Sequence, residues 1–400
     1  MSSGTDLLHR ADPYLLDFEA TVVARREHEG RPAVVLDRTA FYAESGGQPW
    51  DTGTLGDASV LAVVRAGDEV LHVLDRDPAT DHVHGRVDGA RRRDHLQQHH
   101  GQHLLSRAFV ERASARTVSF HLGAEVSSID LDRLVTGEQV VAAEARANAV
   151  VWEARPVTVR TCSRGEAVAA GIDVPDEAGE DVRIVEAEGF DRQPCGGTHP
   201  RSTAEVGVVT VLGHERYKGG TRVQFACGFR ALAAARARAE ALGRAGILLS
   251  ASAEDVPQAV ARLQEQLAEA RARAEDLLAR ALEGEARKLL ARPRGPGEAV
   301  VAVYQGWMPA DLRALAVQLV ALAPCAVLLG SVADKAHAVF AQSEGLPHDI
   351  PGLLQEAMRA IGGRGGGRGN VAQGGSDRPE GLAAALAKAA ARIRERASSA

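Results

Sequence analysis

HLQQHHGQHLL, residues 95–105, is the stretch around which the rest of the chain must fold. Within it His99 and His103 are four residues apart, so on a helix both imidazoles leave the same face. CGGTH, residues 195–199, repeats that spacing with a thiol and a third imidazole across a glycine turn. One thiolate and three imidazoles are ligands typical of tetrahedral Zn²⁺. The sequence therefore predicts one zinc site, built by His99, His103, Cys195 and His199.

The neighbouring residues leave the type of zinc site open. It is either a closed structural site or one that holds substrate or water transiently. His100 lies one residue off the ligand face and is not expected to bind, whereas His95 lies on that face one turn earlier and remains a candidate contact. The other cysteines have no partner at ligand spacing and are interpreted as small buried hydrophobes: Cys162, Cys227 and Cys325.

The composition is that of a globular protein. Of 400 residues, 45% are hydrophobic and 25% are charged, and a chain of this length favours two to four domains. No apolar run is long enough to span a membrane and the N-terminus has no signal-peptide pattern, so we expect a cytoplasmic protein without a membrane partner. The net charge of −6 argues against a general nucleic-acid coat protein but leaves local recognition open.

The overall pattern predicts an α+β multidomain chain. Residues 16–90 alternate apolar and polar side chains in short runs, which predicts a small antiparallel β-barrel or sandwich as a domain over residues 1–93. One loop, residues 39–53, carries Gly46, Gly47 and Gln48, and is either an ordinary turn or a loop that a partner approaches closely. Residues 94–228 should form an α+β zinc-binding domain, with a helix from about Asp94 to Arg112 followed by strands and a second helix.

The second half of the chain should begin with a helical hairpin over residues 229–292. Alanines and leucines from Leu263 to Ala281 follow a heptad spacing, and a break at Gly243–Ser252 separates two helices. The seam is short, so an intramolecular pair and a dimer contact are both open, and the protein is expected to be a monomer or a homodimer. Residues 298–400 predict an α/β unit with a Gly/Arg-rich loop, Ile361–Asp377, which is either an anion cradle or a flexible linker.

Four motifs carry a resemblance to a known family. FYAESGGQPWDTG, HHGQHLL, CGGTH and KGGTRVQFACG occur in this order and at these separations in the editing domain of alanyl-tRNA synthetases. The chain resembles a stand-alone alanyl-tRNA editing protein of the long type. GGRGGGRGNVAQGG is similar to the C-terminal nucleic-acid-binding domain named after the DHH phosphoesterases. Together these matches cover residues from about 35 to 390.

The resemblance implies a zinc-dependent hydrolase that deacylates seryl- or glycyl-tRNA mischarged on the alanine tRNA, without ATP and without aminoacylation. It places the zinc ligands on the four residues above and catalytic substrate contacts on Gln102 and Ser119. Further contacts are expected from the loop and from basic residues. For the substrate these are Gly46, Gly47, Gln48, Lys218 and Arg222. For the tRNA they are Arg364, Arg368 and Gln373.

Selection against alanine has a physical basis. Serine is larger than alanine, so size cannot exclude the methyl group, but polar groups that pair with the serine hydroxyl would be left unpaired by alanine.

Three other functions remain alternatives. A zinc-stabilised tRNA-binding module without catalysis would not release serine from Ser-tRNA. A phosphoesterase would need an Asp-His-His cluster, and no DHH occurs here. A coiled-coil scaffold leaves the histidines and cysteine unexplained.

Overall fold

The computed structural model describes residues 4–67, 69–176, 179–295 and 297–397. The chain divides into two compact units, Met1–Leu248 and Leu249–Ala400. Both units combine helices with sheets, so the predicted α+β multidomain class is confirmed. None of the helices in these ranges is long and apolar enough to cross a membrane.

The first unit contains strands β1 to β15, helices α1 to α4 and two short 3₁₀ turns, Leu8–Arg10 and Thr203–Val206. The strands before α1 are β1 (Asp6–Leu7), β2 (Asp17–His28), β3 (Arg31–Leu36), β4 (Arg38–Thr39), β5 (Gly53–Leu55), β6 (Ala58–Ala66), β7 (Glu69–Leu74) and β8 (His82–Val87). The later strands are β9 (Thr117–Leu122), β10 (Ser127–Leu131), β11 (Val157–Ser163), β12 (Asp181–Ala187), β13 (Asp191–Pro194), β14 (Val209–Tyr217) and β15 (Gly220–Cys227). The helices are α1 (Gly89–Ala113), α2 (Gly137–Trp152), α3 (Arg164–Ala169) and α4 (Gly228–Leu249).

Six of the early strands close on themselves. Their order is β2-β3-β7-β6-β5-β8, every neighbouring pair is antiparallel, and the last strand pairs with the first. Alternate side chains fill the interior, including Phe18, Val34, Leu36, Leu55 and Leu74. Closure leaves no open edge in this sheet.

Helix α1 begins earlier than the sequence predicts. Asp88 accepts hydrogen bonds from the amides of Ala90 and Arg91 at 2.9 and 3.1 Å, so this N-cap adds more than a turn before Asp94. The helix ends at Ala113, where Ser114 adopts a left-handed conformation. One hydrophobic core joins α1 and α2 to the inner faces of two sheets, whose strand orders are β14-β15-β10-β9 and β11-β12-β13. Helix α1 contributes Leu104, Leu105 and Phe109 to this core.

A buried ion pair ties α1 to the barrel. Arg92 is 1% exposed and its Nε lies 3.1 Å from Asp51 Oδ2, while its other nitrogens donate to the carbonyls of Pro13 and Ala40. Asp51 also accepts from the amide of Tyr42 at 2.7 Å. Removal of one partner of such a pair leaves a buried charge without a counter-charge, which lowers the free energy of unfolding by about 3–5 kcal/mol. The ion pair therefore positions α1 against the barrel.

The second unit is one mixed sheet between two helical layers. Its strands are β16 (Val300–Gln305), β17 (Ala326–Val332), β18 (Ala336–Gln342), β19 (Arg364–Arg368) and β20 (Val371–Ser376), in the order β16-β17-β18-β20-β19. Only the β16–β17 pair is parallel. The helices are α5 (Val256–Leu290), α6 (Pro309–Leu322), α7 (Ile350–Ala360) and α8 (Leu382–Ala397). Helices α5 and α6 pack on one face, and α7 and α8 on the other.

The Gly/Arg-rich segment is not a loop, so that expectation is wrong. It forms the hairpin of β19 and β20, in register from Arg364 opposite Gly375 to Arg368 opposite Val371. Glycine is unusual in strands, but here helix α7 lies too close for a side chain. A Cβ on Gly374 would be 2.7 Å from Met358 Cγ, and one on Gly365 would be 3.0 Å from Leu354 Cδ2.

The helical region also differs from expectation. Helix α4 continues through Gly243 to Leu249, so the break, at Ser250 with its positive φ, falls in the last part of the predicted range Gly243–Ser252. Helix α4 belongs to the first unit and α5 to the second. The heptad residues Leu263, Leu267 and Leu277 are at least half exposed. The division into four domains, and a monomer or homodimer, remain predictions.

Candidate metal centre

The structure brings the four predicted ligands together. His99 and His103 project from consecutive turns of α1, and Cys195 and His199 come from the segment that follows β13. One nitrogen or sulfur atom from each lies within 4.8 Å of all the others. Cys195 Sγ is 3.3 Å from His99 Nε2 and 3.2 Å from His199 Nε2. Nitrogen and thiolate donors converging in a buried cluster fit Zn²⁺.

Gln48, expected to contact substrate, lies beneath this cluster and is fully buried. Its Oε1 accepts a hydrogen bond from His99 Nδ1 at 2.7 Å and another from the amide of Thr198 at 3.0 Å. Its Nε2 donates to Thr198 Oγ1 at 3.0 Å. A carbonyl oxygen can only accept, so His99 carries its proton on Nδ1 and turns an unprotonated Nε2 toward Cys195.

The other two imidazoles have comparable partners. His103 Nδ1 lies 3.2 Å from Asp191 Oδ2, which also accepts from Gln193 Nε2 at 2.8 Å. Gln193 Nε2 lies 2.7 Å from His103 Nδ1 as well, so Nδ1 faces both a carboxylate that can only accept and an amide nitrogen that can only donate. His199 Nδ1 lies 3.1 Å from His100 Nδ1.

Close packing positions the CGGTH segment. Arg183 Nη1 donates to the carbonyls of Cys195 and Gly197 at 2.7 and 2.9 Å. A Cβ on Gly197 would lie 2.1 Å from His99 Cε1, whereas one on Gly196 would meet nothing within 4 Å. Only the second glycine is therefore required for the approach of the two ligand pairs.

The electrostatics favour a thiolate. Burial would raise the pKa of the Cys195 thiol, but the surrounding imidazoles, His99 foremost, hold that pKa well below its ordinary value. Burial would lower the pKa of His103, yet the Cys195 thiolate and Asp191 outweigh it and raise the pKa to about 10. For His199 burial prevails and lowers the pKa to about 3. A thiolate is the form of cysteine that binds metal.

A cavity of about 350 Å³ opens beside the cluster. Three of the predicted substrate contacts line this cavity: Gln102, Ser119 and Gly46. Its wall also contains residues that the sequence did not single out: Tyr42, Ser106, Thr117 and Gln193. Gln102 Nε2 donates to Ser106 Oγ at 2.9 Å, and Ser106 Oγ is 2.6 Å from Thr117 Oγ1. Ser106 follows Gln102 by four residues on a helix, so spacing alone could have identified it.

The remaining predicted contacts lie elsewhere. Lys218 lies in the turn between β14 and β15, and Arg222 lies within β15, where it forms a bidentate pair with Asp130 at 2.7 and 2.8 Å. Asp130 also accepts from Ser119 Oγ at 2.8 Å. Gly47 packs under the ring of Phe120. The tRNA candidates are in the second unit: Arg364, Arg368 and Gln373 on the hairpin.

Comparison with known proteins identifies the class first. Residues 182–224 match the family model described as the threonyl and alanyl tRNA synthetase second additional domain, and residues 13–91 match that of class II (A) tRNA synthetases. Two segments of the chain are thus similar to domains of class II tRNA synthetases.

Several individual proteins are similar to longer parts of this chain. The alanyl-tRNA editing protein AlaX-L of Pyrococcus horikoshii is 29% identical over 91% of this chain and 92% of its own length. The editing protein Aarsd1 of Bos taurus is 36% identical over 63% of this chain and 61% of its own. The alanine–tRNA ligase of Natronomonas pharaonis is 34% identical, but the chain spans only 43% of that enzyme. The chain is a relative of the stand-alone alanyl-tRNA editing proteins.

The two glycines of CGGTH offer a matched test of the site. We expect Gly197→Ala to push His99 away from Cys195 and to weaken Zn²⁺ binding by about tenfold or more, the scale of a disturbed ligand orientation. Gly196→Ala should bind as the unmodified protein does, because its Cβ meets open space. Competition of each apo-protein with a chromophoric chelator measures the affinity. Equal affinities for both variants would contradict the assigned packing.

Proposed function

We propose that this chain is an aminoacyl-tRNA hydrolase that removes serine or glycine from mischarged alanine tRNA, with zinc held by His99, His103, Cys195 and His199. The observation that carries the proposal is the polar cavity that opens beside these four residues. The relatives named alanyl-tRNA editing proteins support it. The absence of aminoacylation, independence from ATP and a cytoplasmic location belong to the same proposal.

The reaction is the hydrolysis of an ester. Water adds to the carbonyl carbon, the bond from that carbon to the ribose oxygen breaks, and a proton from the water passes to the ribose oxygen. Zinc, when bound, supplies a positive charge that holds the terminal adenosine or the amino group and so orients the ester. The ester is already activated, so holding a water in place and stabilising the oxyanion suffice without a covalent nucleophile.

Gln102 is the residue that we assign to reading the serine hydroxyl. Its Nε2 donates to Ser106, which leaves Oε1 to accept from the substrate. Ser119 lines the same cavity, but its hydroxyl already donates to Asp130, so it is available to the substrate only as an acceptor. Glycine has no side chain to exclude and can enter the same space. Alanine and glycine both lack the hydroxyl and leave Gln102 unpaired, so this contact favours serine over either of them.

Recognition of the tRNA itself is assigned to basic residues in both units. Arg364 and Arg368 are exposed on β19, the edge strand of its sheet, and Gln373 lies on the neighbouring strand. Lys218 lies at an exposed turn, whereas Arg222 is partly neutralised by Asp130. With a net charge of −6, the affinity for tRNA should be modest and depend on these few contacts.

The proposed activity is tested by deacylation of purified tRNA charged with serine, glycine or alanine. We expect release of serine and glycine and little release of alanine. Cys195→Ala should lower the serine rate by roughly a hundredfold or more, on the order of losing one charge-stabilising group. Cys162→Ala, a matched change away from the cluster, should be neutral. Binding of Ser-tRNA without release would instead identify a binding module.

Substitution of Gln102 should separate the two substrates. In Gln102→Leu the serine hydroxyl loses its partner, so kcat/KM for Ser-tRNA should fall roughly 5- to 150-fold, which corresponds to a loss of about 1–3 kcal/mol of transition-state stabilisation. The value for Gly-tRNA should fall much less. Gln102→Thr keeps a polar group and should retain part of the preference. Equal losses for both substrates would remove Gln102 from this role.

The basic hairpin can be tested through the dependence of binding on salt. The logarithm of the tRNA affinity should fall linearly with the logarithm of the salt concentration, and each lost phosphate contact should reduce the slope by about one unit. The double variant Arg364→Ala, Arg368→Ala should therefore have a slope lower by about two units. Arg271→Ala, an exposed arginine on α5, is the control. An unchanged slope in the double variant would place the tRNA elsewhere.

A further inference from the structure

His100 is excluded as a ligand by its direction on α1, yet it contacts one. Its ring is 1% exposed, and its Nδ1 lies 3.1 Å from His199 Nδ1. On the other edge of His199, Nε2 lies 3.2 Å from Cys195 Sγ. We propose that His100 is a positioning residue that accepts a hydrogen bond from His199 Nδ1–H and so keeps His199 Nε2 free to bind metal. This inference rests on the metal site of the proposed function.

The direction of this hydrogen bond follows from the chemistry of imidazole. Two nitrogens 3.1 Å apart share one proton, so one ring donates and the other accepts. A nitrogen that binds a metal must be unprotonated, and a neutral ring then carries its proton on the opposite nitrogen. His199, whose Nε2 faces the cluster, is therefore the donor. The reverse arrangement would aim an N–H of His199 at Cys195 and the metal.

The other two ligand imidazoles also have a polar partner at Nδ1. His99 Nδ1 donates to Gln48 Oε1, and His103 Nδ1 lies at hydrogen-bonding distance from Asp191 Oδ2. Such acceptors fix both the orientation and the tautomer of a metal-binding histidine. His100 completes this set, because it supplies the acceptor for the third imidazole.

One nitrogen of the buried His100 ring has no hydrogen-bond partner in the described part of the chain, which lowers the stability of the fold. When Nδ1 accepts, the proton of His100 is on Nε2, a buried atom without a hydrogen-bond partner among the described residues. An unpaired buried donor lowers stability, and an apolar side chain of similar size would avoid the loss. The nitrogen that has a partner is Nδ1, which lies against His199.

Two substitutions separate the acceptor from the rest of the ring. His100→Leu removes both nitrogens, and we expect it to weaken Zn²⁺ binding by about ten- to a hundredfold. His100→Asn places an amide oxygen near the position of Nδ1, so it should keep most of the affinity. His72→Leu removes a buried histidine of the barrel that contacts Thr39 and Val34, and it should leave the affinity unchanged.

The tautomer itself can be measured in the apo-protein by long-range ¹H–¹⁵N correlation spectra of labelled histidines. We expect His199 to be protonated on Nδ1 in the unmodified protein and in His100→Asn, and to shift toward protonation on Nε2 in His100→Leu. The proposal is overturned if His199 keeps its tautomer in His100→Leu, or if His100→Asn loses as much zinc affinity as His100→Leu. Neither readout uses tRNA, so a failure of deacylation remains distinguishable.

Discussion

The hydrogen bond from His99 to the side chain of Gln48 is the contact on which the rest of the site depends. Gln48 lies 51 residues before His99 and 150 before Thr198, and one buried amide binds both. It is placed by the positive φ angles of Gly46 and Gly47, 55° and 80°, which few other residues adopt. The barrel is therefore part of the metal centre: it supplies the group that joins its two halves.

Helix α1 illustrates how a polar helix can lie in a protein interior. A helix whose polar residues surround the axis would ordinarily remain in solvent. Here several of those residues find partners on other elements: Gln97 donates to the carbonyl of Glu205, and Gln98 exchanges two hydrogen bonds with the backbone of Cys227. Gly101 allows this approach, since a Cβ there would lie 2.2 Å from Cys227 Sγ.

The parts of the site that sequence could predict are those set by local spacing. The i, i+4 pair on α1 and the short CGGTH turn fix ligand geometry within one element each, and the ligand quartet follows from their chemistry. The outer partners Asp191 and His100 depend on how distant segments approach, which no local pattern encodes. The Gly/Arg hairpin was missed for the opposite reason: its composition disfavours strands, and the packing of α7, which explains Gly365 and Gly374, is not visible in the sequence.

The cavity suggests why a small methyl group can be rejected by a space large enough for serine. A free amide could rotate to find another partner when the substrate hydroxyl is missing, and discrimination would then be weak. Gln102 cannot do so without losing its bond to Ser106, whose hydroxyl in turn lies against Thr117. An acceptor held by such a chain stays unpaired when alanine binds, so the full cost of desolvating it falls on the wrong substrate. Under the proposed function, rigidity of this neutral hydrogen-bond chain, rather than pocket size, is the source of the preference for serine over alanine.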